Sequence, residues 1–349
     1  MPRANSCTDH WLTRMEVVNE MPRATELNLL YEGKPAKIGT IEQFEYVDEA
    51  EGKSDSVSIT VDDIDSRWNN GWTPTHYDKI APAIIIYRDD LDSITLQCGE
   101  FIVDDYSLSA PPLTCEINAI STPLNYGFKA LPKSKIWKKV TIKRIAEEIS
   151  KENKLSLVFD AEDSNVIKEK EQSFESDCSF LSKLCSDYGK KYKVYSSKIV
   201  IYDVERYEDK DIVAEIKPYQ CSSWSFNTCI HGTYTGAIFS YTDPKSDKTY
   251  KVKVGTDDRI LYMNESAENK EDARAKALAK INESNRSMYS MEIKLKHPFP
   301  YFATQNVQIT DFGQFVDGKY FINTVKHSIS SGGYVVNLSL RRLVPRITK

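Results

Sequence analysis

The stretch Ile136–Asp160, IWKKVTIKRIAEEISKENKLSLVFD, changes period partway along. Val140, Ile142, Ile145, Ala146 and Ile149 recur at helical spacing, leaving Lys143, Arg144, Glu147 and Glu148 for the opposite face, which predicts an amphipathic helix. Leu155–Phe159 then reads as a short apolar strand. In 171–203, EQSFESDCSFLSKLCSDYGKKYKVYSSKIVIYD, a second helical stripe follows in Phe180, Leu181, Leu184, Cys185 and Tyr188. Ser173 or Ser176 caps its start, because a short hydroxyl side chain can satisfy free backbone N–H groups, and Gly189 ends it. Tyr192–Tyr195 and Lys198–Tyr202 close the unit as a hairpin around Ser196 and Ser197. The expected order is helix, strand, helix, hairpin: a small α/β module.

Working outward, both flanks read as antiparallel strands. Upstream, Val57, Ile59 and Val61 alternate with Ser56, Ser58, Thr60 and Asp62, and Cys115, Ile117 and Ala119 alternate with Thr114, Glu116 and Asn118. Ala83–Tyr87 and Ile94–Leu96 form a hairpin around 89–93. Downstream, Trp224–Asn227, Ala237–Tyr241, Tyr250–Val254 and Met291–Leu295 are predicted strands, with a charged helix at about 267–286 and Val336, Leu338 and Leu340 on one strand face. Two strand-rich regions around an inserted α/β unit suggest a duplicated barrel, although no internal sequence repeat proves it.

The module quoted above is similar to the middle domain of the phage late control D family, the hub proteins of contractile tails. SVSITVDDIDSRWNNGWTPTHYDKI (56–80) and CGEFIVDDYSLSAPPLTCEINAIST (98–122) resemble the family's first barrel domain, and YFINTVKHSISSGGYVVNLSLRR (320–342) resembles its closing hairpin. The similarity runs from about Met21 to Arg342. It implies a mainly β, α+β chain: a first tube-like β-barrel over 21–130, an inserted α/β domain over 131–210 and a second tube-like barrel over 211–349.

The function implied by the resemblance is that of a non-enzymatic baseplate hub. A homotrimer would present pseudo-sixfold symmetry to the tail tube or tube-initiator proteins and threefold symmetry to a trimeric spike. Other baseplate proteins and a tape-measure protein are further implied partners. Long edge strands would pair across subunits to close the inner sheet of the ring. The alternatives are a hub with cell-wall-degrading activity and the hub part of a type VI secretion-like spike. The first needs an added domain with paired carboxylates or a Cys/His pair, and the second a β-helical needle; the sequence reaches Lys349 directly after the last expected strand, so neither is expected.

Composition fits a folded chain with a sizeable core: 349 residues, 40% hydrophobic. There is no run of 18 apolar residues and no secretory h-region, so the expected location is the cytoplasm during assembly and a phage-tail or tailocin baseplate afterwards. A net charge of −5 argues against a general nucleic-acid binder, which needs clustered positive charge. Met1-Pro-Arg-Ala4 recurs as Met21-Pro-Arg-Ala24, which marks residues 1–20 as an N-terminal extension: a frayed terminus by default, or a docking segment through Trp11 and Leu12.

Candidate chemistry is thin, and no catalytic residue, metal or cofactor is expected. Seven cysteines (Cys7, Cys98, Cys115, Cys178, Cys185, Cys221, Cys229) include no C-x-x-C pair, and Cys178 and Cys185 fit one helix face. Asp62, Asp63 and Asp65 lack the glycine and distal glutamate of a calcium loop and read as a polar turn. The histidines (His10, His76, His231, His297, His327) match no zinc or acyl-transfer pattern, and His327 alternates within a strand. Two candidate interfaces remain. Trp68, Trp72 and Tyr77 lie in a turn-rich segment and either cover a core edge or anchor a partner. Lys133, Lys135, Lys138, Lys139, Lys143 and Arg144 form a basic cluster that reads first as a solvated helix face, then as a contact for an acidic neighbour, with Lys138 and Lys139 as its candidates.

Overall fold

The computed structural model describes residues 24–35, 41–52, 54–71, 73–87, 92–121, 126–163, 166–195, 197–243, 248–296 and 299–348. The expectations for residues 1–20, and those for Trp72, Cys7, His10 and His297, fall outside the described residues.

Alternating apolar residues produce the first strand-rich region: β1 (Ala24–Tyr31), β2 (Lys34–Pro35), β3 (Ile41–Glu49), β4 (Ser56–Asp62), β5 (Lys79–Tyr87), β6 (Ser93–Gln97), β7 (Phe101–Ser109) and β8 (Thr114–Ile120). The module follows as α1 (Tyr126–Ala130), β9 (Lys133–Thr141), α2 (Ile142–Glu152), β10 (Ser156–Asp160), β11 (Val166–Glu175), α3 (Asp177–Asp187), β12 (Lys190–Tyr195), β13 (Lys198–Asp203) and α4 (Val204–Glu208). The chain then returns to strands with β14 (Ile212–Ile216), β15 (Cys221–Thr228), β16 (Gly236–Asp243), β17 (Lys248–Gly255) and β18 (Ile260–Asn264). It closes with α5 (Lys270–Asn285), β19 (Tyr289–Leu295), β20 (Asn306–Ile309), β21 (Gly318–Ser330) and β22 (Gly333–Arg342).

The protein is mainly β. Its largest sheet runs β15-β19-β22-β21-β3-β4-β8-β7-β5-β1-β2, with β6, β14 and β20 paired off this path. The two strand-rich regions therefore share one sheet, joined where β21 pairs antiparallel with β3 from Thr324↔Glu49 to Ser330↔Gln43. They also share one core. Phe44, Tyr46, Val57, Ile59, Val61, Ile117, Val325, Val336, Leu338 and Leu340 are all buried in the same cluster. At the joint, the buried His327 stacks on Tyr46 with ring centroids 5.7 Å apart. Its Nδ1 lies 2.6 Å from the Tyr334 hydroxyl and its Nε2 3.1 Å from the Tyr301 carbonyl oxygen.

The module keeps a separate core. Ile142, Ile145, Ala146 and Ile149 of α2 pack with Phe180, Leu181, Leu184 and Cys185 of α3 and with Ile199 and Ile201 of β13. Burying one such isoleucine contributes about 1.5–3 kcal/mol. The Thr141 hydroxyl accepts from the Arg144 N–H and fixes the start of α2, so Val140 belongs to the preceding strand rather than to the helix. The Ser176 hydroxyl caps α3 by accepting from the Ser179 N–H. The expected order missed β9 and β11, which pair as a two-stranded sheet. Lys133, Lys135, Lys138 and Lys139 consequently lie on a strand and not on a solvated helix face. Three of these charges are answered from the module's own acids: Lys133 meets Asp177 and Glu152, Lys135 meets Glu148 and Glu152, and Lys138 meets Glu169.

Strands β16, β17 and β18 form their own mixed sheet beneath α5, with Ala273, Ala277 and Ile281 packed on Ala237, Phe239 and Val254. Helix α5 begins at Lys270, later than the sequence suggested, because the Asn269 side chain caps it by accepting from the Asp272 N–H. Where the chain leaves the module, buried Glu208 accepts from Arg286 Nε at 2.9 Å and Arg346 Nε at 3.1 Å, and its Oε1 lies 2.7 Å from Arg341 Nη1.

Burial pushes the His327 imidazole down to about 4, so the folded protein holds it neutral while the unfolded chain protonates it near 6.5. Its contribution is complete above pH 6.5 and is lost as pH falls toward 4. The cost of His327→Gln in urea unfolding is thus expected to be largest above pH 6.5 and to shrink by about 2–3 kcal/mol on acidification to pH 4. A cost independent of pH would contradict a neutral buried imidazole.

Candidate assembly surface

Counting outward from the β21–β3 joint exposes a repeat that the sequence hides. The first region contains two hairpin-like pairs ordered β3-β4-β8-β7, and the second contains β15-β19-β22-β21. Labelled by chain order within each region, both follow first-second-fourth-third, and every pair in both is antiparallel. The accessory strands repeat too. β5 pairs with the start of β7 at Ile80↔Phe101, and β20 pairs with the start of β21 at Asn306↔Phe321. The later half of β21 is where β3 docks.

The corresponding half of β7, Asp105–Ser109, pairs with β8 alone and carries no strand on its other side among the described residues. At the opposite end of the array, β15 pairs with β19 alone among the described residues. The two vacant edges are thus the counterparts of the two strands joined inside the chain. On β7, Tyr106 and Leu108 share the core face with buried Ile117 and Cys115, yet Leu108 is 38% exposed. On β15, Trp224 and Phe226 share the core face with buried Ile293 and Met291, and Trp224 is 45% exposed. The Trp224 ring meets Phe312 edge-on at 5.2 Å. Core-facing aromatic and aliphatic side chains left half open at a free strand edge are incomplete packing.

The opposite face of the array is polar and tied laterally. Ser58 donates to Glu116 at 3.2 Å, Asn118 to Asp105 at 2.9 Å, Thr324 to Glu49 at 2.7 Å and Ser339 to Glu292 at 2.7 Å, while Lys326 pairs with Glu45 at 2.8 Å.

The structure separates the candidate interface residues named from sequence. Trp68 is buried in the main core and is unavailable as an exposed anchor. Tyr77 is 65% exposed, has φ +81°, and its N–H donates to the Val103 carbonyl beside the free half of β7. Lys138 and Lys139 are exposed on the module, on a different element. Sequence reasoning missed Tyr106, Leu108, Trp224 and Phe226 as edge residues, because alternation marks a face but not which strand lacks a neighbour.

Asp62 and Asp63 accept from the backbone N–H groups of Ile64 and Trp68, and Asp65 pairs with Arg67, so the acidic run builds a turn. Among the described residues, no group of three or more His, Cys, Asp or Glu is placed to hold a metal ion. Burial pushes the thiols of Cys115 and Cys221 up to about 11, which leaves them unreactive near neutral pH. His76 is spent on the Asp104 carbonyl, and no described helix is long and apolar enough to cross a membrane.

Neither a protein-family model nor a curated protein sequence matches the chain. Solved structures do match it in fold. The 43 kDa tail protein of prophage MuSo2 from Shewanella oneidensis is 14% identical, with a TM-score of 0.68 over 91% of this chain and 98% of that one. A tail protein from Neisseria meningitidis MC58 is 11% identical, with a TM-score of 0.69 over 91% and 96% of the two chains. The c3393 protein of E. coli, a component of the type VI secretion system, is 11% identical, with a TM-score of 0.58 over 92% of this chain and 78% of that one. The fold is that of phage tail and type VI secretion components.

A tyrosine in left-handed backbone costs about 1–2 kcal/mol that glycine avoids, less the entropy glycine loses on folding. Tyr77→Gly is therefore expected to leave the urea midpoint unchanged or to raise stability by up to about 1 kcal/mol. A loss beyond about 1 kcal/mol would show that the ring serves folding instead.

Proposed function

We propose that this chain is a non-enzymatic hub subunit of a contractile-tail baseplate, working as a homotrimer. The observation that carries the reading is the vacant pair of edges on a doubled four-strand unit. The free half of β7 in one copy accepts β15 of the next, repeating between chains the antiparallel contact that β21 and β3 make within one. Tyr106 and Leu108 then close over Trp224 and Phe226, and Tyr77 lies beside the seam. Three copies bring six similar units into a ring, so one side offers pseudo-sixfold symmetry to a tail tube or tube initiator and the other threefold symmetry to a trimeric spike. The polar face lines the central channel, through which a tape-measure protein would pass, and other baseplate proteins pack outside. The subunit is made in the cytoplasm and ends in the tail of a phage or tailocin particle.

The tail-protein folds from Shewanella oneidensis and Neisseria meningitidis support this reading over nearly their whole lengths. A second reading, the hub part of a type VI secretion spike, is favoured by the match to the E. coli secretion component. The same ring serves both.

The test is solution mass by light scattering, alone and with a candidate spike partner. A mass three times the 39.9 kDa chain is expected in at least one condition, and Trp224→Glu or Leu108→Glu should return it to one chain with an unchanged circular dichroism spectrum. A wild-type monomer in both conditions overturns the ring.

A further inference from the structure

The module rests on the long sheet through a joint built largely of charges. The outward face of β12 and β13 carries Lys191, Lys193, Tyr195 and Tyr202 toward the end of β3 and the loop after it. Lys193 Nζ lies 2.7 Å from Asp48 Oδ1 and 2.8 Å from Asp55 Oδ1. The Tyr202 hydroxyl donates to the Ala50 carbonyl at 2.9 Å, and Lys191 bridges Glu51 and Glu283. The Tyr195 ring sits over Gly99, where a Cβ would come within 2.8 Å of its hydroxyl oxygen. A second contact sets the end of α3 on α5, with Gly189 against Ala279 and Lys276 over the Tyr188 ring.

The charges in this joint do not balance. Asp55 is fully buried, Asp48 is 6% exposed, and one ammonium serves both carboxylates. Asp48 is satisfied on both oxygens, by Lys193 and by the Ala303 N–H. Asp55 Oδ1 accepts from Lys193 and the Glu49 N–H, while its Oδ2 is buried with no hydrogen-bond partner. With both groups ionised the joint holds a net negative charge away from water, which is costly, and one proton on Asp55 removes it. We propose that Lys193, Asp48 and Asp55 form a proton-gated latch, closed while the carboxylate pair keeps one proton and loosened when that proton leaves.

Lys191, on the same face of β12, is paired with Glu51 and Glu283, and the tyrosine, cysteine and histidine side chains facing the triad stay neutral between pH 5 and 8. Tyr46 on β3, Tyr334 on β22 and Cys98 after β6 are all raised by burial, Tyr195 on β12 is pushed up to about 12, and His327 on β21 is held down at about 4. Burial, with the Asp48 carboxylate beside it, pushes Asp55 up to about 7 against the pull of Lys193. Undocked, Asp55 returns to the ordinary aspartate value near 3.9. The docked state then binds the extra proton between these values, so seating is firmest below the lower value, weakens as pH rises and levels off above about 7. A cleft of about 240 Å³ lined by Glu51, Gly52, Lys191 and Tyr192 brings solvent to the rim of the joint. The arginine-held Glu208 keeps the exit of the module in place while the joint opens.

Hydrogen exchange of the full-length protein, normalised to unfolded-peptide rates at each pH, tests this. Opening in peptides spanning 47–56 and 190–195 should rise roughly tenfold or more between pH 5 and 7 and flatten above 8, while α2 in the module core stays protected. Asp55→Asn, which keeps a neutral side chain there, should remain closed and lose the pH dependence. Lys193→Met removes the cation that favours ionisation and should move the rise to higher pH. Wild-type opening that ignores pH, an Asp55→Asn variant with the wild-type slope, or joint and module core opening together would each overturn the latch.

Discussion

The antiparallel pairing of β21 with β3 is the contact on which the rest of the structure depends. It brings together strands separated by most of the chain, and its register places Tyr46 opposite His327 and Phe44 opposite Ile329. A slip of one residue would turn every one of these side chains to the wrong face. His327 pins that register, because both ring nitrogens have partners inside the core and the ring also stacks on Tyr46. From this seam each four-strand unit extends outward to an edge, the later half of β7 or β15, that has no further partner strand among the described residues.

The inserted module is held by a different kind of force. Its core is closed by its own helices and strands, so its seating contributes little to that core. Charged contacts dominate the boundary: Lys193 on two aspartates, Lys191 on two glutamates, and Glu208 under three arginines where the chain leaves. Buried ion pairs are weak sources of stability, since desolvation offsets the attraction, but removing one partner is costly. They position two bodies without fusing their cores. The chain thus combines a rigid apolar seam inside the sheet with a titratable joint beside it.

Several elements could be read directly from residues. Val57, Ile59 and Val61 fall on the buried side of β4, Ser176 caps α3, and the residues flanking Ser196 form the expected hairpin. These depend on neighbours within a few positions. The β9–β11 sheet escaped notice because its core-facing residues, Trp137, Val140 and Ile167, are few and set among lysines and glutamates, so the segment resembles a polar stretch. Trp68 sits among turn residues, which left core cover and partner anchor both open to a sequence reading; the fold of that turn over the sheet buries it.

The sequence by itself determined the local periods: where strands alternate, where helices begin, and which faces are apolar. That information is carried by side-chain chemistry within a few residues. The tertiary structure alone decided which strands became neighbours, and with that the shared sheet, the repeated strand order, the vacant edges of β7 and β15, and the meeting of Lys193 with Asp48 and Asp55. Pairing across hundreds of residues is chosen by the packing of whole faces against one another, and no short window of sequence contains both partners.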